Sequence, residues 1–124
     1  MRHFSRGRLF SFRYAFSGLK YVLTTQRNAW IHAAITIGVI LLGIVLHLPV
    51  VQWIILLLTI ALVWTAEILN TALEALVDLV SPQPHPLAKI AKDVSAGAVL
   101  ISAIASVAIG LLIFLPPLLG LLSR

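Results

Sequence analysis

Apolar residues run almost unbroken from Trp30 to Ala66 and again from Val94 to Leu115. No formally charged residue stands between Arg27 and Glu67, an interval of 39 residues. One crossing of a bilayer takes about 20 residues, so the interval is too long for one span and about right for two. His47-Leu48-Pro49 supplies the break, because proline ends a helix and restrains the residue before it. The pattern predicts an all-α integral membrane protein, a single domain over 1–124 with transmembrane helices at 30–46, 50–80 and 94–115. The membrane parts of the first two, Trp30–Leu46 and Val50–Ala66, each rise roughly 26 Å, slightly less than a hydrocarbon core of ~30 Å. The third is expected to end at Pro116-Pro117.

Residues 1–28 carry a different pattern. Arg6, Arg13, Lys20 and Arg27 recur at every seventh position, while Leu9, Phe12, Phe16, Leu19 and Leu23 gather on another face. This predicts an amphipathic helix lying on the membrane surface, its aromatic rings at the lipid boundary and its cations near anionic headgroups. It could serve as a topology anchor or as a lid over a site at the surface. A signal peptide fits poorly, since the basic region is too long and no small-x-small cleavage site follows a short apolar core.

Composition narrows the function classes. Of 124 residues 60% are hydrophobic and only 10% charged, against about a quarter charged in a soluble domain. The absence of cysteine excludes disulfides, thiolate metal sites and a thiol nucleophile. A net charge of +5 could suggest nucleic acid, but the charges bracket the apolar runs and form no free basic domain. Six of the nine cationic residues precede the first apolar run, and Lys89 and Lys92 lie in the second loop. The positive-inside rule therefore predicts a cytoplasmic N-terminus and second loop, with Arg124 alone pointing the other way.

All four acidic residues (Glu67, Glu74, Asp78 and Asp93) fall in one 27-residue window. At helical periodicity Glu67, Asn70, Thr71, Glu74 and Asp78 share roughly 100° of arc. A carboxylate at membrane depth is costly unless it faces protein or water, which makes a functional role the first reading. The structural alternative is interhelical hydrogen bonding in an oligomer. Glu67 and Glu74 are separated by about 10.5 Å along the axis, too far to share one magnesium ion at its ~2.1 Å bond lengths. Glu74 and Asp78 are one turn apart and could reach the same ion. The arrangement suggests a base at the lipid boundary with a cation site nearer the cytoplasm. Phosphoryl transfer to a membrane alcohol calls for that order, with the hydroxyl at the interface and the nucleotide arriving from water.

No G-x-x-x-x-G-K-[ST] loop is present, so phosphates would rest on Lys89, Lys92 and the N-terminal cations, with Mg²⁺ neutralising charge. His85, between two prolines, is a candidate nucleotide contact or a solvated loop residue, and the other histidines are not assigned a role from sequence. Small residues from Ser95 to Gly110 recur at three- and four-residue spacing, which lets membrane helices pack closely. Three spans enclose little interior, and a homo-oligomer with sites between subunits is expected.

Two segments carry a family resemblance: Ala66-Glu-Ile-Leu-Asn-Thr-Ala-Leu-Glu-Ala-Leu-Val-Asp78 and Leu87-Ala-Lys-Ile-Ala-Lys-Asp-Val-Ser-Ala-Gly-Ala-Val-Leu100. Both resemble the signature of prokaryotic diacylglycerol kinases. Phe12–Leu19 and Arg27-Asn28…His32 resemble the Gram-positive branch, many of whose members act on undecaprenol. The resemblance implies a membrane lipid kinase using ATP and Mg²⁺, a homotrimer, and active sites between subunits. It implies Glu67 as catalytic base, Asn70 beside it at the lipid substrate, and Glu74 as a Mg²⁺ ligand. Tyr14, Glu74, His85, Lys92 and Asp93 match nucleotide-contacting positions. The chain departs from the pattern at Gln26, where the family has a second metal-binding Glu, at Gln83, where an acidic residue is frequent near the nucleotide, and at Trp30, which replaces a common Arg. The rivals are a family member that has lost turnover and a small ion or proton conductor using Glu67 and Glu74 as a relay. A conductor would want polar groups through the full bilayer depth, whereas the first span has only Thr36 and His47 as notable polar groups.

Overall fold

The computed structural model describes residues 3–124, with side chains from Phe10 onward. The side chains of Arg6 and Leu9, which belong to the amphipathic pattern, lie outside that set. Four helices follow in order: α1 (His3–Thr25), α2 (Arg27–Val45), α3 (Val50–Val80) and α4 (Pro86–Leu122). The described residues contain no strand. Three of the helices, α2, α3 and α4, are long and apolar enough to cross a membrane, and the chain is an all-α membrane protein.

On α1 the rings of Phe12, Tyr14 and Phe16 are exposed, while Val22 is buried where the helix meets the rest of the chain. The helix breaks at Gln26, whose extended backbone caps α2 without a side-chain hydrogen bond. Ala29, one turn into α2, has no exposed surface. A larger side chain there would prop the elbow open.

The turn between α2 and α3 is made by His47, the one non-glycine residue with positive φ among those described (52°). Its ring nitrogen Nδ1 lies 2.9 Å from the Ile44 carbonyl oxygen, and the Leu48 N–H donates to the Gly43 carbonyl at 3.2 Å. A short polar side chain that satisfies its own turn tolerates the left-handed region better than an aliphatic one. Pro49 then caps α3. The break thus falls at His47, ahead of the proline. Leu48, Leu56, Ile113 and Phe114 form a buried cluster at this end of the bundle, flanked by Val39, Leu42 and Trp53. Gly43 is part of the packing, because a Cβ there would stand 2.9 Å from the Trp53 ring.

Helix α4 differs from its predicted extent at both ends. It starts at Pro86, with His85 as its cap accepting the Leu87 N–H at 3.1 Å. Proline suits the first helical turn because its missing N–H would have had no partner there. The far end runs on through Pro116-Pro117, the stop expected from the sequence, to Leu122. In an apolar setting a broken helix would strand more backbone groups than the two prolines remove, so the helix continues. Helices α3 and α4 pack on each other more extensively than any other pair.

Candidate active site

The acidic face of α3 starts where the helix is buried against α2 and runs out toward the α3–α4 corner. Glu67 is 2% exposed and is the largest side chain among those fully buried. Its backbone carbonyl accepts the Thr71 hydroxyl at 3.0 Å, and its carboxylate Oε2 lies 3.8 Å from His32 Nε2 on α2. Within 4.0 Å no other basic group meets this carboxylate among the described residues. The His32 ring stands edge-on to Trp64, centroids 6.3 Å apart at 62°, and the Trp64 indole N–H donates to Thr36 Oγ1 at 3.0 Å. Two successive turns of α2 therefore engage two positions of α3, Trp64 and Glu67. Sequence reasoning left His32 without a role. The available signal was an ionisable side chain inside an otherwise apolar run.

One turn further, the Asn70 side-chain N–H₂ donates to Glu74 Oε1 at 3.2 Å. The Asn70 carbonyl oxygen is buried with no hydrogen-bond partner. Orphaned buried acceptors are uncommon, and this one sits between the two glutamates. It also borders a wide apolar groove between α3 and α4 lined by Leu69, Leu73, Ser95, Ala98 and Ser102.

At the corner, Lys92 donates to Asp78 and ties α4 to α3, while Lys89 pairs with Asp93 within α4. A hollow of about 620 Å³ opens here, lined among others by Asp78, Gln83, His85, Lys89 and Lys92. The structure thus brings Gln83, His85 and Lys92 together. Asp93 and the exposed Tyr14 on α1 stand apart from the hollow's lining. Ser81 Oγ donates to the Gln83 carbonyl at 2.9 Å, so Gln83 shapes the loop through its backbone. Gln26 is half-buried at the α1–α2 elbow, with no hydrogen bond to Glu74.

Among the described residues no three His, Asp or Glu side chains converge as a metal cage. Magnesium does not require one, since it keeps several waters and is held by one or two carboxylates together with substrate phosphates. Glu74, half-buried and with one oxygen engaged by an amide N–H, fits that kind of donor set. Three further hydroxyls of this region are satisfied within their own helices: Thr59 donates to Ile55, Ser102 to Val99 and Ser106 to Ala103. These three do not act as polar ties between helices.

A small helical membrane protein with a buried glutamate at one level and a hollow bordered by two lysines and a histidine at the adjoining corner is thereby defined. Comparison with known sequences agrees. The family description "Prokaryotic diacylglycerol kinase" matches residues 13–114, and the chain belongs to that family of membrane lipid kinases. It is 51% identical over 115 residues to a diacylglycerol kinase of Synechocystis sp.. That alignment covers 92% of this chain and 66% of the relative, so the chain spans slightly under two thirds of the cyanobacterial protein. It is 45% identical over 108 residues to an undecaprenol kinase of Bacillus subtilis, covering 87% of this chain and 88% of the relative.

Proposed function

We propose that this chain transfers the γ-phosphate of ATP to the hydroxyl of a membrane lipid alcohol, diacylglycerol or undecaprenol, giving phosphatidic acid or undecaprenyl phosphate. The observation that carries the reading is the burial of Glu67 at membrane depth, with Asn70 and Glu74 following it toward an aqueous corner. That order matches a reaction whose acceptor comes from lipid and whose donor comes from water.

Glu67 takes the proton of the lipid hydroxyl as its oxygen attacks the γ-phosphorus. The bond from that phosphorus to the bridging oxygen breaks, and ADP leaves with the electron pair. Asn70, one turn from Glu67 and bordering the α3–α4 groove, would lie beside the lipid substrate. Glu74, with Gln26 as a second ligand, would hold Mg²⁺, which when bound screens the charge of the phosphates and favours their displacement. Gln83, His85 and Lys92 would bind the nucleotide at the hollow, while Tyr14 and Asp93, outside its lining, are assigned to the nucleotide by the family resemblance alone. Lys92 offsets phosphate charge when it exchanges Asp78 for the nucleotide.

The N-terminus, the α3–α4 loop and the active site face the cytoplasm of a cell membrane, following the excess of cations on that side. Three copies assemble so that each wide α3–α4 groove is covered by a neighbour.

The test is radiolabelled ATP with purified protein in mixed micelles, each alcohol offered separately. Label moving into the organic phase with one or both alcohols supports the proposal, and the preferred alcohol names the substrate. No transfer to either, with protein folded and Mg²⁺ present, would refute it.

A further inference from the structure

We propose that His32 is a positioning residue for Glu67: its ring nitrogen Nε2 presents a proton to the carboxylate and fixes which oxygen faces the lipid hydroxyl. The inference deepens the lipid-kinase reading and rests on Glu67 being the base.

The geometry carries it. Nε2 and Oε2 are 3.8 Å apart across the α2–α3 interface, with the His32 side chain 17% exposed and that of Glu67 3%. The separation is too long for a hydrogen bond but closes with a shift of about 1 Å, and catalytic contacts are often long before substrate is bound. A carboxylate withdrawn from water needs a partner that satisfies it. Glu67 has one basic neighbour in reach among the described residues, and it is this imidazole. Either the neutral tautomer protonated at Nε2 or the imidazolium can make the contact.

The ring is also held in place. Trp64 meets it edge-on, and Trp64 is itself anchored through its N–H to Thr36. Thr36 stands one turn after His32 on α2, and Trp64 nearly one turn before Glu67 on α3. The four side chains form a connected chain, Glu67–His32–Trp64–Thr36, in which an aromatic contact and a hydrogen bond hold the imidazole toward the carboxylate. Simple helix packing gives no reason to place the most buried charge-bearing group among the described residues opposite the one ionisable residue within the apolar part of α2.

Substitution separates hydrogen bonding from packing. His32→Phe keeps a ring against Trp64 and removes the N–H, whereas His32→Gln removes the ring and supplies an amide N–H at about the depth of Nε2. With saturating lipid in mixed micelles, kcat and the KM for ATP are measured for both, with His32→Ala beside them and Glu67→Gln as control. The expected result is a kcat lower by about 10- to 100-fold in His32→Phe and His32→Ala, the scale of a misplaced catalytic group. The KM for ATP stays unchanged, and His32→Gln recovers most of the lost kcat. Should His32→Phe fail to fold, His32→Ala takes its place in the comparison. Wild-type kcat in His32→Phe, or His32→Gln as slow as His32→Ala, overturns the assignment. The control separates the two layers: an active Glu67→Gln variant would refute the base itself, while an inactive one beside unimpaired His32 variants refutes only the positioning role.

Discussion

Trp64 on α3 reaches across to α2 and donates its indole N–H to Thr36 Oγ1 at 3.0 Å. Both residues are half-buried, and the contact lies beside the Glu67–His32 pair. Hydrogen bonds between membrane helices contribute modestly, averaging about 0.6 kcal/mol. Trp64→Phe should therefore cost roughly that much stability, read as a small fall in thermal midpoint in detergent. It should cost proportionally more in kcat, because the anchor that orients His32 is lost. A stability loss of several kcal/mol with unchanged kcat would contradict this division.

Gly43 makes a packing prediction at the opposite end of the bundle. A methyl group there would meet Trp53 ring atoms at 2.9 and 3.0 Å and a Leu48 methyl at 3.1 Å. Gly43→Ala should destabilise the hairpin by about 1–3 kcal/mol, the usual cost of overpacking. Replacing Trp53 by Leu in the same chain should recover part of the loss. Thermal unfolding of the single and double variants checks both statements, and an undisturbed Gly43→Ala variant would contradict the close approach.

Much of this architecture was legible in the sequence, for definable reasons. Lipid leaves few options for backbone polar groups, so a long uncharged run is a strong helix signal. The polar face of α3 followed from spacing alone. The extent of α4 did not, because prolines are ambiguous punctuation. Pro86 opens a helix when a residue such as His85 caps it, and Pro116-Pro117 fail to close one in an apolar setting. The partner of Glu67 is also out of reach, since the 34 positions between His32 and Glu67 say nothing of which faces of α2 and α3 meet. Only the packing of those helices brings the pair within 3.8 Å.

The proposed topology rests on charge placement and is testable by labelling. Val50, 73% exposed, begins α3, and the exposed Gln83 lies in the α3–α4 loop. Single cysteines at Val50 and Gln83 in this cysteine-free chain should react with an impermeant maleimide from opposite sides, with Gln83→Cys labelled only after cells are opened. Leu48 is a poor choice for the outer site because it is buried. Labelling of both cysteines from one side would contradict a full crossing by α3.

Gln26 offers a prediction about the cation. An amide oxygen can ligate magnesium but lacks a carboxylate's formal charge. Gln26→Glu should lower the Mg²⁺ concentration for half-maximal activity by about 5- to 30-fold, equivalent to roughly 1–2 kcal/mol. Activity titrated against Mg²⁺ at saturating ATP is the check. An unchanged midpoint would mean that position 26 does not meet the ion.

The central claim is that Glu67 deprotonates a lipid alcohol that accepts phosphate from ATP. Its most direct test compares wild type with Glu67→Gln in mixed micelles, following label from the γ-position of ATP into the lipid phase. The account predicts transfer by the wild type and a drop of about 10²–10⁴-fold in the variant, since the amide cannot accept the proton. The variant should keep its fold, because the amide is nearly the same size and can still meet His32. Transfer at the wild-type rate by Glu67→Gln would contradict the account at its centre.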